Sequence, residues 1–278
     1  MTTAREPIDL QAYCERIGYT GPLEPTPELL ASLVRWHMAT IPFEAIDVLL
    51  GRGVELAPQA IDRKLLASRR GGYCQEHASL MRRVLQAVGF TVEQHLARVW
   101  LGRDPSSDAP GAPTHTSLQV ALGDARWLVD VGFGGFTPTE PLVWRLDEPQ
   151  QTAFGSYRLT RTRDGRMLES WQHNQWAPLY EILDFHWQAA DFKIANHYTA
   201  THPDSHFRHD LMVALTKPHG RTTLAGNRLR RVALDGTRTQ ERLDADGLAA
   251  TLDAVFGLPV ADDWQPLLRR VAAATAED

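Results

Sequence analysis

The sequence predicts an α+β fold in three parts: helices first, an antiparallel sheet or barrel next, and a mixed last third. Three observations carry this reading. Apolar residues recur at helical spacing through the first ninety or so residues. From Phe90 onward, β-rich runs are joined by Gly-Asp and Asp-Gly turns. Beyond about residue 190, strand-like runs give way to one further helical pattern. The boundaries that follow are residues 1–90, 91–190 and 191–278. A chain of 278 residues with 43% hydrophobic content is long enough to bury a sizeable core.

Taken in order, Ile8 to Ile17 reads as a short amphipathic helix stopped by Gly18. Thr26 is placed to cap the next helix, with Pro27 at its first position. Leu29, Leu30, Leu33, Val34 and the Trp36-His37-Met38 group supply its apolar face, and a break follows from Ile41 to Arg52. Pro58 starts a helix that runs through Ile61, Leu65 and Leu66 to a glycine pair. Cys74 opens another, with Leu80, Met81, Val84, Leu85 and Val88 on one face and Gly89 as its stop. Thr91 to Leu101 reads as a strand, and Gly102 to Pro113, with three prolines, as a loop. Thr114 to Leu122 and Ala125 to Gly135 flank Gly123-Asp124 as a hairpin, and a second hairpin turns at Asp164-Gly165. Leu211 to Leu215 and Arg230 to Leu243 read as strands, the latter turning at Asp235-Gly236. Asp244 or Asp246 caps a last helix through Leu248, Leu252, Val255 and Phe256, and the tail from Ala272 to Asp278 is expected to fray.

Charge and composition narrow the function. The formal net charge is −5 and no basic stripe is visible, which argues against nucleic acid as a partner. Cys14 and Cys74 are the only cysteines, so no disulfide framework is implied and a reducing compartment is the default. Met1 to Pro7 lacks the apolar core of a signal peptide, and no apolar run approaches a membrane span. The expectation is a soluble cytoplasmic protein without a membrane partner.

The chemistry centres on Arg70-Gly71-Gly72-Tyr73-Cys74-Gln75-Glu76-His77. A thiol in the first turn of a helix feels the partial positive charge of unpaired N–H groups, which favours thiolate, and Arg70 adds positive potential nearby. A lone cysteine there also suits plain core packing. The Gly123-Asp124 turn sets a register in which Leu122 faces Ala125, Ser117 faces Asp130 and His115 faces Gly132. His115 and Asp130 are then diagonal neighbours on one face, roughly 7–8 Å apart at the backbone. Cysteine, histidine and aspartate together suit nucleophilic catalysis: His115 takes the thiol proton while Asp130 holds the imidazole's tautomer. The register brings His115 to Asp130 but does not bring Cys74 to either.

That link comes from a resemblance. The Arg70-to-Glu76 motif, Ile41-Pro42-Phe43-Glu44 with Asp47 to Arg52, His115, and Val129-Asp130-Val131-Gly132-Phe133-Gly134 together resemble the arylamine N-acetyltransferase family. Asn196-x-Tyr198-x-x-Thr201-x-Pro203-x-Ser205-x-Phe207, Gly226 and Val255-Phe256-Gly257-Leu258 extend the likeness over about the whole chain. The resemblance implies a helical first domain, a β-barrel second domain, an α/β lid and a cysteine-protease-like Cys-His-Asp core. It implies acetyl-CoA as acyl donor and no metal, with the acyl group passing through cysteine to an aromatic amine or hydrazine. Carried over residue by residue, Cys74 is the nucleophile, His115 the base and Asp130 its orienter. Phe43, Phe133 and Phe207 match aromatic positions of the acceptor pocket, Thr114 its mouth, and Tyr198 a coenzyme A contact. Gly134 and Gly135, in the run after Asp130, let backbone approach a phosphate or acyl chain.

Two positions depart from the family pattern. Ala45 and Ala78 stand where asparagine is usual, both near the nucleophile in sequence or in the family's fold, which leaves the donor and acceptor pair open. An amide synthase fed by a carrier protein, or a non-catalytic or metal-binding protein on the same fold, are the competing readings. His202, His206 and His209 would share one helix face, but Pro203 disfavours a continuous helix there and leaves too few zinc ligands. The oligomeric state is open.

Overall fold

In the computed structural model, which describes residues 6–274, short polar residues set the ends of the first helices. Asp9 accepts the Ala12 N–H at 2.9 Å to open α1 (Leu10–Ile17), and Gly18 at φ 76° closes it. Thr26 Oγ1 accepts the Leu29 N–H at 3.1 Å to open α2 (Pro27–Thr40). The expected break contains β1 (Phe43–Glu44) and a short α3 (Ile46–Leu49). The helix begun by Pro58 is α-helical only over α4 (Pro58–Ile61) and continues as π-helix over Asp62–Ala67. Next comes α5 (Cys74–Val88), closed by Gly89. Tyr13, Leu30, Leu33, Leu80, Met81 and Val84, from α1, α2 and α5, form one buried cluster with Leu118, Val120 and Val129. Each such side chain contributes about 1.5–3 kcal/mol by leaving water.

The middle strands are β2 (Thr91–Val99), β3 (Pro113–Leu122), β4 (Ala125–Val129), β5 (Leu142–Val143), β6 (Gln150–Thr152), β7 (Gly155–Arg161), β8 (Gly165–Gln172) and β9 (Gln175–Leu183). They form an eight-stranded antiparallel sheet in the order β5-β4-β3-β2-β9-β8-β7-β6, which comes close to closing into a barrel. Both expected hairpins are present: Leu122 pairs Ala125, and Arg161 pairs Arg166 across Asp164-Gly165.

After α6 (Ala189–Thr201) come β10 (Met212–Lys217), β11 (Gly220–Ala225), β12 (Arg228–Ala233), β13 (Arg238–Arg242), α7 (Ala245–Ala254) and α8 (Gln265–Ala273). These strands make a second sheet, and β1 joins its edge, pairing Phe43 with Ala214 and Glu44 with Val213. The segment carrying Phe43 is thereby fixed to the last third of the chain. Val213, Leu215, Leu224 and Leu229 of this sheet bury against Leu248 and Leu252 of α7, Phe256 just beyond it, and Leu267 and Leu268 of α8. Asp244 is the residue that caps α7, accepting the Gly247 N–H at 2.8 Å. Of the tail expected to fray, Ala272 and Ala273 close α8, and residues 275–278 lie outside the described residues, as do residues 1–5. Among the described residues no helix is long and apolar enough to cross a membrane.

Candidate active site

Three backbones meet at Cys74. Glu44 N–H donates to Gly72 O at 2.8 Å and Gly72 N–H to Pro42 O at 3.3 Å. A Cβ on Gly71 would fall 2.1 Å from Pro42 O, and one on Gly132 would fall 2.8 Å from Cys74 Cα, so both positions demand glycine. Tyr73, extended before the helix, gives its N–H to Glu76 Oε2 at 3.0 Å, and Glu76 in turn pairs with Lys64 at 2.8 Å. Cys74 begins α5 as expected and is 4% exposed. Arg70, expected to raise the potential at the thiol, binds carboxylates instead: Glu44 at 2.8 Å and Asp47 at 3.2 Å. Such partners offset the cost of taking a guanidinium out of water. Burial works against Asp47's charge, but Lys64 and Arg70 more than offset it and hold the carboxyl below its ordinary range.

The hairpin register is the expected one as far as Leu118 opposite Val129. The ladder ends there, so Asp130 lies just past it. His115 Nε2 and Asp130 Oδ2 are nevertheless 2.7 Å apart, and Asp130 Oδ1 accepts the Gly132 N–H at 2.8 Å. Burial alone would strip His115 of its proton. The Asp130 charge and hydrogen bond reverse that, Cys74 adds to the effect, and the imidazole is pulled up to about 10. Cys74 Sγ lies 3.8 Å from the carbonyl oxygen of Thr114, the residue before His115. Phe133 packs edge-on against His115 with centroids 4.8 Å apart.

The remaining aromatic positions form a second wall. Phe43 and Tyr73 lie 6.0 and 6.1 Å from the Phe207 ring and share a buried cluster with Val48, Ala200 and Ala214. Gly134 sits beside the Phe43 ring, while Gly135 faces Thr223 of β11. Tyr198 does not join this cluster; it stacks on His202 at 4.3 Å. His202 ends α6, His209 Nε2 donates to Pro203 O at 2.6 Å, and the His206 ring packs on Phe207 at 4.0 Å. Among the described residues no group of three or more His, Cys, Asp or Glu is placed to hold a metal ion.

A family model described as N-acetyltransferase matches residues 26–265. An arylamine N-acetyltransferase of Mycobacterium tuberculosis is 42% identical over 259 residues, 92% of this chain and 91% of its own. The chain belongs to the arylamine N-acetyltransferase family. Membership makes it an acyltransferase. The arylamine N-acetyltransferase of Escherichia coli is 37% identical, over 91% of this chain and 90% of its own. The solved structure of the Mycobacterium tuberculosis family member superposes with a TM-score of 0.90 at 38% identity, covering 95% of this chain and all 100% of that one. The Mycobacterium marinum arylamine N-acetyltransferase, solved in complex with CoA, superposes with a TM-score of 0.88 at 38% identity, covering 95% and 98%.

Within this family member the two alanines differ in setting. Ala45 lies in the aromatic cluster with Phe43 and Tyr73, and the Ile46 N–H that opens α3 is taken by Glu44 Oε2 at 2.8 Å. Ala78 packs in the helical core, 4% exposed, away from that cluster. Two further residues belong to the surroundings of the site. Tyr180 of β9 packs on His115 at 4.6 Å, and its hydroxyl proton is held by burial and then by the Asp130 charge. Nothing in Leu179-Tyr180-Glu181 marks it, because only the curl of the sheet brings β9 beside β2. His77, which lies within the cysteine motif, bonds His37 Nε2 through its Nδ1 at 2.7 Å and donates from Nε2 to Pro42 O at 3.2 Å.

Proposed function

We propose that the chain moves an acetyl or short acyl group from acetyl-CoA to an aromatic amine or hydrazine, through a thioester on Cys74. One observation carries this reading most directly: His115 commits Nε2 to Asp130 beside the cysteine that opens α5. Asp130 accepts the Nε2 proton, and Nδ1 holds the proton taken from the thiol, which gives the charged imidazole that Asp130 stabilises. Cys74 sulfur then attacks the thioester carbonyl, the bond to the CoA sulfur breaks, and that sulfur leaves with the proton from His115. In the second half the amine nitrogen attacks the cysteine thioester. His115 receives the amine's proton and passes it to the departing Cys74 sulfur. Both half-reactions exchange one acyl bond for another, so no oxidant or metal is needed.

Phe43, Phe133 and Phe207 supply apolar faces suited to a flat aromatic acceptor, Thr114 its rim, and Gly134, Gly135 and Tyr198 the approach of the CoA chain. The CoA complex of the marinum relative supports the donor. A Salmonella typhimurium relative, 36% identical, is named also as an N-hydroxyarylamine O-acetyltransferase, which makes hydroxylamines worth including among acceptors. On this reading residues 1–90 bring the nucleophile, 91–190 the base and its orienter, and 191–278 the lid. Free Cys14 and Cys74 fit a reducing cytoplasm.

Intact mass after mixing with acetyl-CoA tests the proposal. One acetyl group is expected on Cys74, discharged by an arylamine faster than by water. No adduct from acetyl-CoA, with an adduct from a carrier-protein thioester, would replace the donor assigned here; no adduct from either would end the reading.

A further inference from the structure

Arg221, on β11, is 8% exposed. A buried guanidinium ordinarily takes a carboxylate partner, yet its three partners here are neutral oxygens. Nη1 donates to Gly135 O at 2.6 Å, Nη2 to Thr137 O at 2.6 Å, and Nε to Thr216 Oγ1 at 3.2 Å. Both arms of the fork therefore hold one turn, the one that follows Asp130. The other carbonyls of that turn are also taken. Thr137 Oγ1 donates to Gly134 O at 3.0 Å, and the Tyr157 hydroxyl donates to Phe136 O at 3.2 Å. Four consecutive carbonyls, from Gly134 to Thr137, thus face a fixed set of donors. Gly134, at φ 64°, has no side chain to brace the turn, so these bonds set its path.

The near end of the same turn touches the reacting groups. Phe133 N–H donates to Thr137 Oγ1 at 2.9 Å, and the Phe133 ring covers His115 and Tyr180, each at 4.8 Å. Gly132 N–H holds Asp130 Oδ1. A guanidinium on the C-terminal sheet is in this way two bonds from the ring over the imidazole. We propose that Arg221 is a positioning residue for acyl transfer: through the carbonyls of Gly135 and Thr137 it keeps Phe133 on His115 and Gly132 on Asp130. The inference rests on the roles proposed above for Cys74, His115 and Asp130.

The groups facing His115 are Cys74 from α5, Asp130 after β4 and Tyr180 from β9, with Tyr157 from β7 acting on Tyr180. If the turn loosens, Asp130 loses alignment with Nε2 and holds the imidazole proton less firmly, so His115 releases its proton at lower pH. The test uses Arg221→Lys, which keeps a cation but not the fork, and Arg221→Gln. Single-turnover acetylation by acetyl-CoA is followed by intact mass, and His115 titration by nitrogen-15 NMR, with thermal melts to count folded protein. Expected are an acetylation rate about ten- to a hundred-fold lower per folded molecule and a His115 midpoint moved downward, with Lys milder than Gln. Wild-type rate and midpoint in folded variants would overturn the proposal, as would a rate loss that tracks only the unfolded fraction. Should Arg221→Gln not fold, Arg221→Lys decides. If the wild-type protein takes no acetyl group from any thioester, the transferase reading fails, and the NMR midpoint still judges Arg221.

Discussion

Two histidine systems are buried against α5, and they are set to opposite charge states. His115, 3% exposed, has Asp130 at hydrogen-bond distance and is pulled up to about 10. His77 and His37, both 0% exposed, hydrogen-bond to each other, to a phenol and to a carbonyl. Burial pushes His77 down to about 4, with the Pro42 hydrogen bond and Glu44 only partly offsetting it. Burial, then His77 and Arg16, push His37 well below its ordinary value. Pro42 O can only accept, so His77 carries its proton on Nε2, His37 donates from Nε2 to His77 Nδ1, and Tyr13 O–H donates to His37 Nδ1 at 3.1 Å. Every ring nitrogen is satisfied with both rings neutral. A similar degree of burial thus yields a proton carrier in one case and an inert strut in the other, and the carboxylate makes the difference.

Removing that carboxylate's charge breaks the comparison most strongly. Asp130→Asn offers an amide N–H to Nε2, which moves the imidazole proton to Nδ1, facing the thiol. Turnover should fall by on the order of 10⁴ while the fold persists. Near-normal turnover in a folded Asp130→Asn protein would reduce Asp130 to a structural role. Truncating the strut acts on stability instead. His77→Ala leaves the His37 N–H without its acceptor and Pro42 O with the Gly72 N–H alone, and should cost about 1–3 kcal/mol in urea unfolding; a loss below the measurement error would mean water replaces the ring.

Stability against pH separates the two systems further. For His37 and His77 the unfolded imidazoles, near 6.5, bind protons first as pH falls. Their contribution is complete above about 6.5 and drains as pH drops toward the His77 value of about 4. His115 runs the other way, its contribution complete below about 6.5 and lost as pH rises toward about 10. His77→Gln keeps an acceptor for His37 and a donor for Pro42 without a titrating group. It should flatten the acid side of the stability curve by up to about 1.4 kcal/mol per pH unit, whereas Asp130→Asn should flatten the alkaline side. Urea midpoints across pH check both, and an unchanged acid slope in His77→Gln would show that His77 titrates as an ordinary imidazole.

The same contrast explains what was legible in the sequence. The His115–Asp130 approach followed from a two-residue turn, because Gly123-Asp124 fixes a register and register fixes faces. Thr26, Gly18 and Cys74 marked helix ends because capping is local. His37 and His77 lie 40 residues apart on two helices, and only packing brings them together. Arg70 read as a free cation because Glu44 and Asp47 reach it through a break with no periodicity. The helix α6 was not read because it buries only Ala195, Thr199 and Ala200 and so shows no apolar stripe. β11, with Arg221 among Gly220, Thr222 and Thr223, reads as polar although Arg221 is buried, since its partners include backbone carbonyls 84 and 86 residues away.

The smallest effect falls at the far end of the neutral chain. Tyr13→Phe keeps the buried ring and deletes only the O–H that His37 Nδ1 accepts. One acceptor is then left unpaired in the core, at a cost of about 1 kcal/mol, read as a lower urea midpoint with an unchanged slope. The bond lost lies beyond His37 and His77, and the chain terminates on Pro42 O rather than on Cys74 or His115. Acetylation of Cys74 per folded molecule should therefore match the wild-type rate. A tenfold loss of that rate in Tyr13→Phe would place the neutral chain within the reacting machinery and erase the distinction between the two histidine systems.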